Sequence, residues 1–341
     1  MCPGLQRCIL TDHTVHSRYD DHMDNWNLRT PADFVAAYAL IRDAMAQAII
    51  SQDEAVHALA LAGTRHLAGV EGQRLVLIGP SGSGKSTLAR TLAEALGVPW
   101  RIIDVTMLAE QNWSGAQLTD HLDALQTEHG HNAARSVLVL DEIDKICVSE
   151  MERTSKDYRV GKQQTLLPLL GTGSELPIGG LKQFRPDALL IIMAGVFPQV
   201  TADRVSPADL LHVGLMSEIV ERMGPVIRLH PLSKKVLAQV LSRTAERCVS
   251  AFRLLGYDLM VPDATISYLA AAVAADEAAG TRSGMSWLQA SADAMLVSLL
   301  ERQAPQGTCC TLYPDSLALP PAGKRRKRGE STGGDVGMGV G

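Results

Sequence analysis

The sequence runs Leu75-Val76-Leu77-Ile78-Gly79-Pro80-Ser81-Gly82-Ser83-Gly84-Lys85-Ser86, a short apolar strand followed by a glycine-rich loop. Glycines let the backbone bend so that its N–H groups converge on a bound phosphate. A helix predicted from Ser86 to Leu96 adds the positive end of its dipole. The stretch therefore predicts a phosphate-binding loop. A glycine-rich turn that binds no ligand is disfavoured, because the glycine spacing and the flanking strand and helix both match a phosphate-binding loop.

This loop supplies most of the candidate nucleotide-binding residues. Lys85 is expected to contact the β- and γ-phosphates, and the Ser86 hydroxyl is expected to bind Mg²⁺. The full candidate set at the loop is Gly79, Pro80, Ser81, Gly82, Ser83, Gly84, Lys85, Ser86 and Thr87.

A second part of the site is predicted where the apolar run Val137-Leu138-Val139-Leu140 ends in Asp141 and Glu142. Asp141 is expected at the carboxyl edge of the sheet, where it binds Mg²⁺ through water. Glu142 is placed to polarise an attacking water as general base. Solvated acids at the end of a strand are common by themselves. The pair together with the upstream loop indicates ATP hydrolysis rather than small-molecule kinase chemistry.

Short apolar strands alternate with helices along the first two thirds of the chain, a pattern typical of an α/β fold with a parallel sheet flanked by helices. After about residue 229 the strands nearly stop, and helices are predicted at 233–255, 264–278 and 284–302. We expect four regions: a flexible segment 1–30, a large nucleotide-binding domain 31–229, a small mainly α-helical lid domain 230–303, and a disordered tail 304–341.

Bulk properties exclude few functions. The 341 residues carry a net charge of −5, which gives no general reason to expect nucleic acid or an anionic membrane as partner. One basic cluster, at 324–328, is the exception. No run is long enough to span a bilayer, and six cysteines without a CxxC pair suit a reducing compartment. A cytoplasmic protein is predicted.

These motifs resemble the AAA+ ATPases, and more narrowly the ClpX/HslU branch of protein unfoldases. Three stretches carry the resemblance in the family's order: Ile49-Ile50-Ser51-Gln52-Asp53-Glu54-Ala55, Asp141-Glu142-Ile143-Asp144-Lys145-Ile146, and Pro207-Ala208-Asp209-Leu210-Leu211 continuing to Glu221-Arg222. The resemblance spans about 32–303. It implies ATP and Mg²⁺ as ligands, with Ile49 and Ile50 packing against adenine.

Two arginines gain roles from the same resemblance. Arg222 stands where this branch carries an arginine finger, which completes the neighbouring subunit's site and so implies a ring, typically a hexamer. Arg282, in Gly280-Thr281-Arg282, matches a residue that reaches the γ-phosphate from the lid domain, although Met285 stands near the place of the family's following arginine. The family's water-positioning Asn or Thr is replaced by Ala194-Gly195.

A substrate-gripping pore loop is implied at Trp113, Ser114 and Gly115, after Asn112. Rings of aromatic side chains bind extended polypeptide without sequence demand. The alternative is that Trp113 is an ordinary core or lid residue. The charged segment 151–162 matches a second pore loop and reads equally as a solvated loop.

The chain also departs from ClpX. Cys2 and Cys8 cannot build the family's Cys₄ zinc module, because closed tetrahedral zinc needs four ligands. Only a short segment joins Phe197 to Ser206, and the Ile-Gly-Phe tripeptide that docks ClpP is absent. We therefore expect the protein to act without ClpP.

Three functions remain open from the sequence. The leading one is an ATP-driven ring motor that remodels or unfolds a protein client of unknown identity. A nucleic-acid-associated ATPase, using 324–328 and 151–162, is the alternative, although a solvated tail explains the basic cluster equally well. The third is an ATP-dependent assembly switch.

Overall fold

The computed structural model describes residues 28–108, 117–148, 158–179, 182–276, 280–317 and 319. The chain divides between Leu237 and Ala238 into two compact units. The boundary falls eight residues after the predicted one. Within the described residues, no helix combines the length and the apolar character needed to cross a membrane.

The first unit contains seven helices and seven strands among its described residues. Its helices are α1 (Pro31–Ala48), α2 (Asp53–Leu67), α3 (Lys85–Leu96), α4 (Leu118–His129), α5 (Tyr158–Leu166), α6 (Pro207–Val213) and α7 (Ser217–Val220). Its strands are β1 (Arg74–Ile78), β2 (Trp100–Asp104), β3 (Val137–Asp141), β4 (Leu176–Ile178), β5 (Lys182–Phe184), β6 (Leu190–Gly195) and β7 (Val226–Arg228). A further helix, α8 (Lys234–Leu254), begins just before the boundary.

Five of these strands form one parallel sheet in the order β2-β3-β6-β1-β7. Successive side chains of a strand point to opposite faces. Val76 and Ile78 accordingly enter one buried cluster, while Leu75 and Leu77 enter the other. Both faces of the sheet are thus covered, which explains why the strands are uniformly apolar. The predicted α/β fold with a parallel sheet flanked by helices is confirmed.

The start of α1 follows its sequence signals. Thr30 caps the helix by accepting a hydrogen bond from the Asp33 backbone N–H at 3.2 Å, and Asp33 Oδ2 accepts from the Thr30 N–H at 2.8 Å. Pro31 occupies the first turn, where its missing N–H costs nothing. This reciprocal cap fixes the start of the first helix.

One hairpin was not predicted from the sequence. Strands β4 and β5 pair antiparallel, with Leu176 opposite Phe184. Each strand has three residues, too few for alternation of polar and apolar side chains to be recognised. The hairpin lies between α5 and β6 in the chain.

The second unit is mainly helical, as predicted. Apart from most of α8, it contains β8 (Asp258–Met260), α9 (Asp263–Ala275), α10 (Thr281–Glu301) and β9 (Cys309–Thr311). Its core includes Leu241, Phe252, Leu269 and Leu288, each at most 2% exposed.

Residues 304–317 differ from the predicted disordered tail. β9 pairs in parallel with β8, with Asp258 opposite Cys309. Leu312 is fully buried, and the Thr265 hydroxyl donates to its carbonyl at 2.8 Å. A three-residue strand whose partner lies about fifty residues earlier leaves no local periodic signal. The rest of the predicted tail, apart from residue 319, lies outside the described residues.

Replacing Leu312 by Ala should destabilise the second unit by about 2–5 kcal/mol, because the change leaves a cavity in a packed core. Chemical denaturation followed by circular dichroism measures the effect. The control is Tyr313→Ala, since Tyr313 is 58% exposed and its loss should cost at most about 0.5 kcal/mol. Equal stabilities for the two variants would contradict the burial of residues 304–317.

Candidate active site

The loop between β1 and α3 is shaped by glycines in unusual conformations. Gly82 and Gly84 have φ angles of 76° and 99°, in the region that residues with a β-carbon rarely adopt. Gly84 is also the residue that precedes the first turn of α3. The loop therefore delivers the backbone N–H groups at the helix start to one side, as a phosphate cradle requires.

Gly79 allows the loop to pass close to a neighbouring segment. A β-carbon at Gly79 would lie 2.7 Å from the Leu229 carbonyl oxygen. Its N–H donates to the Gly195 carbonyl, the last residue of β6, at 3.2 Å. The start of the loop is thus fixed against the ends of two neighbouring strands.

Lys85 and Ser83 place polar groups inside the loop. The Lys85 ammonium donates to the Gly79 and Pro80 carbonyls at 2.7 and 3.0 Å. The Ser83 hydroxyl is buried and has no hydrogen-bond partner in the part of the chain that the structure describes. A buried hydroxyl without a partner costs free energy, and an oxyanion in the loop would relieve that cost. The loop thus fits a phosphate group.

The two candidate metal-binding residues lie together. The Ser86 hydroxyl, in the first turn of α3, donates to Asp141 Oδ2 at 2.9 Å. Asp141 ends β3, which β6 separates from β1, so that three parallel strands end at this point. One hydroxyl and one carboxylate beside a phosphate cradle are the hard oxygen ligands that Mg²⁺ shares with a nucleotide. The residues present fit that ion.

Glu142 is held in a conformation that is rare for its type. Its φ and ψ angles are 60° and 31°, and its N–H donates to Asp141 Oδ1 at 2.9 Å. A left-handed residue other than glycine costs about 1–3 kcal/mol and tends to occur at functional sites. The Glu142 side chain is exposed, next to the Asp141–Ser86 pair.

Asp144 occupies the space beside the missing water-positioning residue. A β-carbon at Gly195 would lie 2.6 Å from the Phe197 ring and 2.9 Å from Asp144 Oδ1. The same Asp144 oxygen accepts from the Val196 N–H at 3.0 Å, and Lys145 pairs with the other oxygen at 2.9 Å. A larger residue at Gly195 would therefore require the Phe197 and Asp144 side chains to move. Asp144 belongs to the Asp141–Ile146 stretch that resembles the family, but the sequence predicted no role for it.

Gln52 is a second residue that the sequence did not single out. It is 6% exposed, and its amide donates to the His230 carbonyl at 3.0 Å and, more weakly, to the Ser83 carbonyl at 3.4 Å. It therefore joins the phosphate loop to the segment after β7. Ile49 and Ile50, the candidate adenine contacts, are half-buried just before it. A polar residue two positions after an apolar pair was the only available signal.

Arg222 lies at the other end of β1 from the phosphate loop. Its carbonyl accepts from Arg74 Nη1 at 3.2 Å, and its own guanidinium donates to the Leu167 carbonyl at 3.5 Å. Arg74 begins β1, and Gly79 follows that strand's last residue, five positions on. At about 3.3 Å per residue, roughly 16 Å separates the two positions. The structure does not bring Arg222 to its own loop.

Arg222 lies near Arg74 and Asp187. Burial chiefly lowers the pKa of the Arg74 guanidinium, the nearby Asp187 carboxylate opposes that shift, and Arg222 adds a smaller lowering. The Arg222 side chain itself is exposed. Its guanidinium is therefore open to an anionic group brought by another molecule.

The remaining candidates lie at the surface of the loop, in the second unit or outside the described residues. Thr87 and Ser81 are exposed around the phosphate loop. Arg282 is exposed in the first turn of α10, in the second unit. The pore-loop residues Trp113, Ser114 and Gly115 lie outside the described residues, as does the basic cluster 324–328.

Comparison with known proteins agrees with this geometry. Residues 75–210 match the model of the family described as "ATPase family associated with various cellular activities (AAA)". The chain is 27% identical over 251 residues to the ATP-dependent Clp protease ATP-binding subunit ClpX 2 of Wolinella succinogenes, covering 61% of this chain and 63% of that protein. It is 27% identical over 267 residues to ClpX of Treponema denticola, covering 62% and 64%.

The chain therefore spans a little less than two thirds of these two curated relatives. A longer match, to ClpX of Bacteroides thetaiotaomicron, is also 27% identical and covers 67% of this chain and 69% of that protein. The predicted resemblance to ClpX-like AAA+ ATPases is confirmed. The matches also support the prediction of an ATP-hydrolysing enzyme.

Replacing Lys85 by Met should weaken ATP binding about 10- to 100-fold, since a charged hydrogen bond contributes about 1.5–3 kcal/mol. Titration with a fluorescent ATP analogue measures the affinity. Arg90→Met is the matched control, because Arg90 is a solvated cation on the same helix, paired with Glu94 at 3.7 Å. A similar loss for both variants would mean that only general positive charge matters.

Proposed function

We propose that this protein is an ATP-hydrolysing AAA+ motor that remodels or unfolds a protein partner. The observation that carries the proposal is the 2.9 Å contact between Ser86 and Asp141 beside the phosphate loop, with Glu142 next in the chain. A phosphate cradle alone would indicate only nucleotide binding. The two successive carboxylates add what hydrolysis requires.

In this proposal the loop residues bind the phosphates of ATP through their backbone N–H groups, and Lys85 neutralises their charge. Ile49 and Ile50 contact the adenine. Ser86, and Asp141 through water, would hold Mg²⁺, which would neutralise charge on the phosphate oxygens. The Ser86–Asp141 hydrogen bond keeps both groups oriented beforehand, so that less ordering is needed on binding.

Glu142 acts as the general base. Its exposed carboxylate takes a proton from the attacking water, and the Asp141 oxygen that accepts its N–H holds the Glu142 backbone in place. Asp144, pinned to the Val196 N–H, keeps the following turn in place.

Arg222 completes the site of a neighbouring subunit. It contacts Arg74, which lies roughly 16 Å along β1 from the loop, and its exposed guanidinium suits charge developing on a γ-phosphate. We infer that hydrolysis needs a ring, and a hexamer agrees with the resemblance. Arg282 serves as a further phosphate contact, from the second unit.

The trans role of Arg222 predicts complementation between two inactive variants. Arg222→Ala should lower kcat by at least about 10³-fold, and Glu142→Gln should bind ATP but hydrolyse it very slowly. In a mixed ring, an Arg222→Ala subunit keeps Glu142 at its own site, and a neighbouring Glu142→Gln subunit can supply Arg222 to that site. ATPase activity of the mixture should therefore clearly exceed the sum of the separate activities.

The control for this experiment is Arg204→Ala, which removes an exposed arginine from another loop of the same unit and should retain wild-type activity. A mixture no more active than its two components, with each variant assembled normally, would contradict the role of Arg222 in the neighbouring subunit's site.

The client is a protein chain, and the Trp113–Gly115 loop contacts it. Support comes from the resemblance, since the relatives are named as ATP-binding subunits of the Clp protease. We propose that this chain remodels its client without ClpP, because only a short segment joins Phe197 to Ser206. A cytoplasmic location stays a prediction from the sequence.

Replacing Trp113 by Ala should abolish the stimulation of ATPase activity by a permanently unfolded test protein, because the aromatic contact surface is lost. Trp113→Phe is the matched control and should retain most of the stimulation. Steady-state ATPase assays with and without the test protein give the ratio. Undiminished stimulation of Trp113→Ala would assign client contact to another segment, and stimulation by DNA alone would favour the nucleic-acid alternative.

A further inference from the structure

Gln163 is a buried side chain that joins the segment after Glu142 to the segment before Arg222. It belongs to α5 and is fully buried. Its amide nitrogen donates to the Ile146 carbonyl at 2.7 Å and to the Gly214 carbonyl at 3.1 Å. Its amide oxygen accepts from the Met216 N–H at 2.7 Å. One side chain thus makes three hydrogen bonds to two distant stretches of backbone.

The first stretch follows the general base. Ile146 ends the 3₁₀ turn Ile143–Ile146, which begins directly after Glu142. Asp144, in the middle of that turn, is fixed to the end of β6 by its hydrogen bond from Val196. Only this short, anchored turn separates Glu142 from Ile146.

The second stretch leads to the arginine finger. Met216 immediately precedes α7, and the Arg222 N–H donates to the Ile219 carbonyl of that helix at 3.0 Å. Because α7 has only four residues, the orientation of its start largely determines where Arg222 emerges. Gln163 holds that start.

The backbone segments around Gln163 are closely packed. The Val148 N–H donates to the Gly214 carbonyl at 3.1 Å. Gly214 has a φ of 104°, and a β-carbon there would lie 2.1 Å from the Val148 carbonyl oxygen. Close-packed interiors pass displacements on rather than absorb them. Movement of the Ile146–Val148 turn must displace Gly214 and Met216.

We propose that Gln163 is a positioning residue that couples a subunit's own nucleotide site, through Glu142, to the Arg222 that the same subunit presents to its neighbour. The inference rests on the proposed function, in which Arg222 acts in trans. The three hydrogen bonds require an amide, since only Gln offers two N–H donors and one acceptor oxygen at the end of a side chain of this length. Glu lacks the donors, and Met lacks all three groups.

A double-mutant cycle on the full chain tests the coupling in catalysis. Gln163→Met should lower kcat about 10- to 100-fold, the scale expected for a misplaced catalytic group, with little change in KM for ATP. In an Arg222→Ala background the same change should lower kcat by less than about threefold, since coupled residues are not additive. The matched control is Gln164→Met, an exposed neighbour on the same helix, which should behave as wild type.

Two results would overturn the proposal. Equal fold-losses in both backgrounds would show that Gln163 only supports the fold, and a Gln163→Met protein as active as Gln164→Met would show that it does neither. Gln163→Glu provides a second variant: it keeps the acceptor for Met216 but sets a carboxylate against two carbonyls, and it should lower kcat in the same way.

Hydrogen exchange separates this inference from the proposed function, because it needs no turnover. A non-hydrolysable ATP analogue should slow exchange at 79–87 and at 216–222 in the wild type and in Gln164→Met. In Gln163→Met the protection at 79–87 should remain and that at 216–222 should be lost. Protection retained at 216–222, or lost at both places, would refute the coupling. A wild-type chain that shows the coupling yet hydrolyses no ATP would refute only the proposed function.

Discussion

The hydrogen bond from the Ser86 hydroxyl to Asp141 is possible only because three strands run parallel and end at one edge of the sheet. The phosphate loop follows β1, Asp141 ends β3, and β6 lies between these two strands. The Gly79 N–H, bonded to the Gly195 carbonyl, fixes the loop to β6. The phosphate cradle, the proposed metal ligands and the proposed general base all depend on this convergence of strand ends.

Close backbone approach limits which side chains the site can hold. Gly79 packs against Leu229, and Gly195 packs against Phe197 and Asp144, so neither position has room for a β-carbon. Gly195 is the last residue of β6, and the buried Asp144 carboxylate, tied to the Val196 N–H, takes up the space beside it. The packing at this strand end therefore favours glycine.

The same β1 strand that positions the loop also separates it from Arg222. Arg74 at one end of β1 contacts Arg222, while Gly79 at the other end begins the loop. A rigid, buried strand keeps the two apart, while Gln163 joins the turn after Glu142 to the segment that leads into α7 through the interior. This arrangement suits a subunit that must bind nucleotide at one edge and act on a neighbour's nucleotide at another.

The sequence by itself determined the phosphate loop, the Asp141–Glu142 pair and the class of fold, because these depend on local spacing and on short apolar strands. Only the tertiary structure decided the order of the strands, the β8–β9 pair within the predicted tail, and the contacts of Gln52, Asp144 and Gln163. Those features rest on contacts between residues far apart in the chain. A single buried Gln or Asp carries no periodic or spacing signal, and its partners are backbone groups that any residue type supplies.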